Sequence, residues 1–203
     1  MTEADRVVDT VLKENLLREG EGWLSEETAD NPSRLDKERC RSVRRHTGIR
    51  AGFAGVLRFH RPAENGKPVA GGIYNPATKE TFLGAVDCGL LYNGHPARPS
   101  QRKALDGAVI LANRSEVKRG EWKAFEGQRF QVRAMGSVAY KLALVSAGLT
   151  DVTFTLTPKN EWDVLVGAAL VLSAGGFVST LEKSSLIANR RDPLLSGLLA
   201  GCP

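Results

Sequence analysis

The stretch that most constrains the fold of this chain runs from Lys159 to Gly176. It begins with Lys-Asn-Glu-Trp-Asp, continues as an apolar run from Val164 to Ala174, and closes with two consecutive glycines. An apolar run of this length makes about three helical turns, and consecutive glycines are a common helix stop. The pattern therefore predicts a buried helix that has Asp163 in its first turn.

Two interpretations of Asp163 stay open at this point. A carboxylate in the first helical turn can simply cap the free backbone N–H groups, which is the simpler explanation from these residues alone. The same carboxylate could instead hold a divalent cation, so that the metal and the helix amides bind a phosphate together.

The composition excludes several classes of protein. The 203 residues are 42% hydrophobic and 25% charged, which is ordinary for a chain that buries a real core. No apolar run reaches membrane-spanning length and the first residues are charged rather than signal-like, so we expect no membrane association. The cysteines at positions 40, 88 and 202 lack metal-ligand spacing. They favour a reduced, cytoplasmic protein.

The net charge of +5 is distributed unevenly. Seven arginines and no acidic residue lie between Arg39 and Ala63, so this segment contains the whole basic excess. Arginines interspersed with His46, His60 and Phe59 could form a nucleic-acid patch, which is a different class of function from an enzyme site. The segment has no known nucleic-acid-binding motif, however, and basic runs are more often solvated. A nucleic-acid binder acting through the cluster from Arg39 to Arg61 is therefore the less favoured alternative.

Periodicity elsewhere predicts alternating strands and helices. The predicted elements are a helix over 3–18, strands at 23–24, 69–74, 81–85 and 108–112, a turn at 93–94, a helix over 137–147 and a strand over 149–156. Gly136 and Ser137 stand at the start of the second helix, where backbone amides can meet a phosphate or a sugar hydroxyl. Ser137 could equally be a simple N-cap.

Five short motifs, taken in order, resemble the inositol monophosphatase family of Mg²⁺-dependent, lithium-sensitive phosphatases. They are Thr2-Glu3-Ala4-Asp5, the Ser25-Glu26-Glu27 loop, Gly72-Ile73-Tyr74-Asn75-Pro76, Gly136-Ser137-Val138-Ala139, and Glu161-Trp162-Asp163 with the later Ala174-Gly175-Gly176. The resemblance covers residues 1–39 and 64–203, and it includes 3'(2'),5'-bisphosphate nucleotidase-like members. It implies a layered αβαβα sugar-phosphatase fold, here incomplete, and hydrolysis of a small phosphorylated substrate.

The resemblance also implies roles for individual residues. Asp5 and Glu26 would be catalytic, and Glu26, Glu27 and Asp163 would hold Mg²⁺. The implied substrate-binding residues are Gly136, Ser137, Lys159 and Glu161. We expect one domain over 1–203, with a metal-binding half over 1–110 and a second half over 111–203, and a possible homodimer.

The family's central motif, Asp-Pro-x-Asp-Gly-Thr, is missing from this chain. Residues 40–63 are Arg-rich and match no part of the family. Permitted codons for Arg41 to Ile49, read one nucleotide later, give Asp-Pro-x-Asp-Gly-Thr-Arg-Glu-Phe, with x restricted to Phe, Ser, Tyr or Cys. We therefore expect that this segment is a translated frameshift, and that the frame returns near Ala63.

Three expectations follow from the missing motif. The segment 40–63 should be irregular, because its composition does not suit the central strands that it replaces. Activity with Mg²⁺ should be low or absent, leaving a phosphate-binding pseudoenzyme as the alternative. Met1 stands where the family commonly has Val, so we also expect an internal start site that omits the family's first helix.

Overall fold

The computed structural model describes residues 66–188, 190 and 192–202, the strands Gly22–Leu24, Cys40–Ser42 and Leu57–Arg61, and the single residues Thr10 and Glu14. Mixed sheets and helices confirm the predicted α/β class. Thr10 and Glu14 are both helical, in agreement with the predicted helix over 3–18, and the other residues of that helix lie outside the described part.

A seven-stranded sheet follows the order of the sequence. Its strands are β1 (Gly22–Leu24), β2 (Cys40–Ser42), β3 (Leu57–Arg61), β4 (Ala70–Asn75), β5 (Glu80–Ala85), β6 (Gly89–Tyr92) and β7 (His95–Ala97). β1 and β2 are parallel, whereas each later neighbouring pair is antiparallel. The predicted hairpin of β4 and β5 is therefore confirmed, as is the Asn93-Gly94 turn between β6 and β7.

A second sheet has five strands in the order β12-β14-β10-β8-β9. They are β8 (Val109–Asn113), β9 (Gln131–Met135), β10 (Val152–Thr155), β12 (Phe177–Ser179) and β14 (Leu198–Gly201). β8 runs parallel to both β9 and β10, so the carboxyl ends of these three strands share one edge of the sheet. A small two-stranded sheet pairs β11 (Lys159–Asn160) with β13 (Leu194–Leu195).

Three α-helices are described in the second half of the chain: α1 (Arg114–Lys118), α2 (Val138–Ser146) and α3 (Glu161–Ser173). A short 3₁₀ turn, Lys123–Phe125, follows α1. The sequence predicted α2 and α3 to within a few residues, including the position of Asp163 in the first turn of α3. Among the described residues, none of the helices is long and apolar enough to cross a membrane.

The helices α2 and α3 lie between the two sheets. One buried cluster joins Ile73 and Phe82 of the first sheet to Leu111 of the second through Ala143 and Leu170 of the helices. Glycine makes this close packing possible: a Cβ at Gly71 would lie 2.5 Å from the carbonyl oxygen of Val166. At the helix–helix contact, a Cβ at Gly167 would lie 2.6 Å from the Cβ of Leu142.

The expectation that residues 40–63 are irregular is wrong for two parts of the segment. Residues 40–42 form β2, and residues 57–61 form β3, which pairs with β4 over five residues. The expectation rested on side-chain composition, whereas strand pairing satisfies the backbone N–H and C=O groups that β4 presents at its edge. Leu57 and Phe59 also alternate with Arg58 and His60, a strand pattern that the arginine content obscured. Residues 43–56 and 62–63 lie outside the described part.

Candidate phosphate and metal site

Three chain connections begin at the edge where β8, β9 and β10 end. β8 passes directly into α1, a loop with Gly136 and Ser137 leads from β9 into α2, and residues 156–160, which include β11, lead from β10 into α3. Since α2 and α3 both begin at this edge, their positive N-terminal ends point to the same side of the sheet. Functional sites in α/β sheets commonly lie at such an edge.

Ser137 begins α2 with a strained backbone. Its φ of 53° lies in the left-handed region, which is unusual for a residue other than glycine. Its hydroxyl accepts a hydrogen bond from the backbone N–H of Tyr140 at 3.4 Å, so the N-cap interpretation is confirmed. Strain of this kind is frequent at binding sites. The substrate-binding role of Gly136 and Ser137 stays a prediction.

Residues 156–160 and the first turn of α3 contain the other predicted site residues that the structure describes. The Lys159 ammonium donates to the hydroxyl of Thr157 at 2.6 Å and to the carbonyl of Pro158 at 3.2 Å. The Glu161 side chain is buried, and its Oε1 accepts the backbone N–H of Arg190 at 3.1 Å. Asp163 is half-buried in the first turn of α3, where a negatively charged side chain interacts favourably with the positive end of the helix dipole.

Glu116, in α1, is a buried carboxylate at the same edge that the sequence did not single out. Its side chain is 0% exposed, and its two oxygens accept six hydrogen bonds. The donors are the Thr157 hydroxyl (2.7 Å) and N–H (3.2 Å), the Thr155 hydroxyl (2.8 Å), the Leu156 N–H (3.2 Å), the Trp122 indole (3.2 Å) and the Asn113 amide (3.4 Å). Lys159 completes the shell with an ion pair at 3.7 Å.

These hydrogen bonds set the ionisation of Glu116. Burial raises the pKa of the carboxyl, but the hydrogen bonds from Thr157, Thr155, Trp122 and Leu156 outweigh burial and lower it to about 2. Glu116 is therefore an anion at any pH at which the protein would work.

Lys141, in α2, is the second buried ionisable group near this edge. Its side chain is 0% exposed, and its ammonium has no hydrogen-bond partner within the described part of the chain. Burial lowers the pKa of Lys141 to about 8; the charge of Glu116 opposes this change and that of Lys159 adds to it. Lys141 is the one charged residue in the apolar sequence of α2, and this sequence signal could have identified it as a buried ionisable group.

A tyrosine network fixes the first turn of α2 to the seven-stranded sheet. The Tyr140 hydroxyl donates to Glu80, and the Tyr92 hydroxyl donates to the same carboxylate at 2.9 Å. Burial raises the pKa of Glu80, whereas hydrogen bonds from Thr78, Tyr140 and Tyr92 lower it, and the net shift is downward. These bonds keep the start of α2 in a fixed position beside the turn between β4 and β5.

The predicted residues Asp5, Glu26 and Glu27 lie outside the described residues. Within the described part, no group of three or more His, Cys, Asp or Glu side chains could hold a metal ion. Asp163 is thus the one proposed Mg²⁺ ligand that can be placed. The carboxylate of Asp163 fits a single Mg²⁺, because Mg²⁺ in proteins is held by one or two carboxylates plus water and substrate phosphate.

Two cavities lie away from this edge. One, of about 430 Å³, is lined by Leu90, Arg98 and Ser173 among others. The other, of about 510 Å³, is more apolar and is lined by residues that include Phe125, Phe130 and Phe154. Of the predicted site residues that the structure describes, none lines either cavity.

Comparison with known proteins decides the family. The sequence pattern of the inositol monophosphatase family matches residues 62–201, which is more than half of the chain. The chain belongs to the inositol monophosphatase family. The resemblance seen in the short motifs is confirmed by this match.

Relatives in the family include phosphatases with different named substrates. The inositol-1-monophosphatase of Mesorhizobium japonicum is 35% identical over 124 residues, which are 58% of this chain and 46% of that protein. The Golgi-resident adenosine 3',5'-bisphosphate 3'-phosphatase of Callithrix jacchus is 30% identical over 144 residues, covering 68% of this chain and 39% of that protein.

A solved structure of the family shows the same fold. The extragenic suppressor protein suhB of Bartonella henselae superposes with a TM-score of 0.82 at 25% identity, covering 100% of this chain and 80% of that one. The aligned part of this chain spans about half the length of the first curated relatives that it matches.

Proposed function

We propose that this chain is a Mg²⁺-dependent phosphomonoesterase for small phosphorylated molecules, with turnover reduced by the missing central motif. The observation that supports this most is the common edge of β8, β9 and β10, where two helices begin and Asp163 lies in the first turn of α3. Helix N-termini favour anions, and a carboxylate beside them suits a cation shared with a phosphate.

In this proposal Glu26, Glu27 and Asp163 would hold Mg²⁺. When bound, the ion would neutralise charge on the phosphate and lower the pKa of a water molecule. Asp5 would accept a hydrogen bond from the attacking water, although the threonine with which the family pairs it is absent here. Fewer carboxylates than in the intact family would bind the metal more weakly.

The chain's own amides and charges would bind the substrate. The backbone N–H groups at Gly136 and Ser137 would donate to the phosphate or to a hydroxyl of the substrate. Lys159 would add a positive charge at the same edge, and Glu161 would anchor the start of α3 through Arg190. The relatives' names suggest an inositol phosphate or a nucleoside 3',5'-bisphosphate as substrate.

The test is phosphate release from inositol 1-phosphate and adenosine 3',5'-bisphosphate, with Mg²⁺ and with a chelator. We expect a kcat well below roughly 1 s⁻¹, the lower end of the usual range for enzymes. The activity should depend on Mg²⁺ and be abolished by Asp163→Asn. Asp106→Asn, which changes an exposed carboxylate paired with Arg129, is the matched control and should have no effect. Phosphate release that is unchanged in Asp163→Asn would contradict the proposed site.

A second candidate is a pseudoenzyme that binds phosphate and does not hydrolyse it. It is favoured by the absence of the Asp-Pro-x-Asp-Gly-Thr motif. Phosphate release separates the two, since a pseudoenzyme would release none from either substrate while calorimetric titration would still detect binding of inorganic phosphate. Binding to duplex DNA that weakens steeply with salt would instead favour a nucleic-acid partner for the Arg-rich segment.

Two further features belong to the proposal. A cytoplasmic location agrees with the free thiols at Cys88 and Cys202. Assembly as a homodimer can be measured by sedimentation at several protein concentrations.

A further inference from the structure

Most of the hydrogen bonds to the Glu116 carboxylate come from one short segment of the chain. Four of its six hydrogen bonds come from the consecutive residues Thr155, Leu156 and Thr157. These residues connect the end of β10 to the start of α3. A single buried side chain therefore determines the path of the loop after β10.

The held segment leads directly into the site. Lys159 follows it, and Lys159 and Asn160 pair with Leu195 and Leu194 of β13. The N–H of Glu161 donates to the carbonyl of Pro193 at 2.9 Å. The start of α3 is thus fixed from two sides, by Glu116 before it and by the C-terminal strand beside it, and Asp163 is in the turn that follows.

Glu116 also balances the positive charge at this edge. Lys159 is 3.7 Å from Glu116 Oε1, and the buried ammonium of Lys141 is near enough for the Glu116 charge to stabilise its protonated form. Removal of the anion would leave these two cations to repel each other beside the loop. The loop would then lose both its hydrogen bonds and its neutralising charge.

We propose that Glu116 is a positioning residue, which holds the segment 155–159 so that Lys159 and Asp163 face the phosphate and metal site. It touches neither substrate nor metal in this account, and acts through the segment that it binds. This inference rests on the proposed function, because it assigns Asp163 to the metal.

The experiment compares Glu116→Gln, Glu116→Asp and the control Glu126→Gln, which removes an exposed carboxylate beyond the 3₁₀ turn. Hydrogen exchange measured by mass spectrometry reports on peptides covering 155–163, with peptides of β5 in the other sheet as the reference. Mn²⁺ binding, followed by electron paramagnetic resonance, reports on the metal site without any need for turnover.

We expect Glu116→Gln to speed amide exchange in residues 156–163 about tenfold more than in β5, since the variant loses charged hydrogen bonds to this segment. The Mn²⁺ dissociation constant should rise about tenfold or more, as for other residues that orient a metal ligand. Glu116→Asp keeps the charge and should recover part of both, and it serves as the deciding variant if Glu116→Gln does not fold.

Two outcomes would overturn the inference. One is a uniform rise in exchange over the whole chain with unchanged Mn²⁺ affinity, which would indicate a purely structural carboxylate. The other is local loosening of 155–163 with unchanged affinity, which would show that the loop does not position Asp163. If the unmodified chain binds no Mn²⁺, the proposed function fails, and exchange at residues 161–163 alone decides whether Glu116 fixes the start of α3.

Discussion

Replacing Lys141 with Met tests the electrostatics of the edge where β8, β9 and β10 end. The Lys141 ammonium is fully buried without a hydrogen-bond partner in the described part, and its pKa is lowered from 10.5 to about 8. Met has nearly the same length and is apolar, so the replacement removes the charge and keeps most of the packing. The variant should therefore be more stable than the unmodified chain at pH 7.

The magnitude follows from the pKa. A fall from 10.5 to about 8 corresponds to about 3 kcal/mol of destabilisation, fully present below pH 8. The unfolded chain binds more protons than the folded chain between pH 8 and 10.5, so this destabilisation disappears as pH rises through that window. From pH 7 to pH 9, the group alone should raise the free energy of unfolding by about 1 kcal/mol.

The assay is urea unfolding followed by circular dichroism at pH 7 and at pH 9. Lys141→Met should gain about 1 to 3 kcal/mol at pH 7 and should lose the rise toward pH 9 that Lys141 causes. Lys118→Met, at an exposed position in α1, is the matched control and should change neither quantity. Equal stability and equal pH dependence in Lys141→Met and the unmodified chain would refute the argument from burial.

Two more predictions concern the same framework. Because the pKa of Glu116 is lowered from 4.5 to about 2, its ionised carboxylate stabilises the fold by about 3 kcal/mol above pH 4.5. This stabilisation is lost as the pH falls toward 2. The free energy of unfolding of Glu116→Gln should therefore depend less on pH in that range. Gly167→Ala should lower the free energy of unfolding by about 1 to 3 kcal/mol, because its Cβ would overlap Leu142. Gly136→Ala, which meets no atom within 4 Å, is its control and should stay within about 0.5 kcal/mol.

The helices and paired strands near the site could be predicted because their signals are local. The apolar run before Gly175 and Gly176 defined α3, and Asn75-Pro76 marked the turn between β4 and β5. Backbone periodicity and turn residues depend on neighbours in sequence, so one chain is sufficient to read them.

The Glu116 network could not be predicted in this way. Four of its six hydrogen bonds come from residues about 40 positions away at the end of a different strand, which the parallel pairing of β8 and β10 brings close. The strands β2 and β3 were missed for a different reason. Their high arginine content conceals the alternation at Leu57 and Phe59, and the pairing of β3 with β4 is a contact that only the fold reveals.

Phosphate release by a frame-restored chain is the most direct test of the central claim. The repaired sequence between Glu38 and Glu64 would return two aspartates to the metal site, and it should be compared with the present chain on the same sugar and nucleotide phosphates. We predict Mg²⁺-dependent release at least about tenfold faster after repair, abolished again by Asp163→Asn. A repaired chain that folds cooperatively yet binds no Mg²⁺ and hydrolyses nothing would contradict this claim.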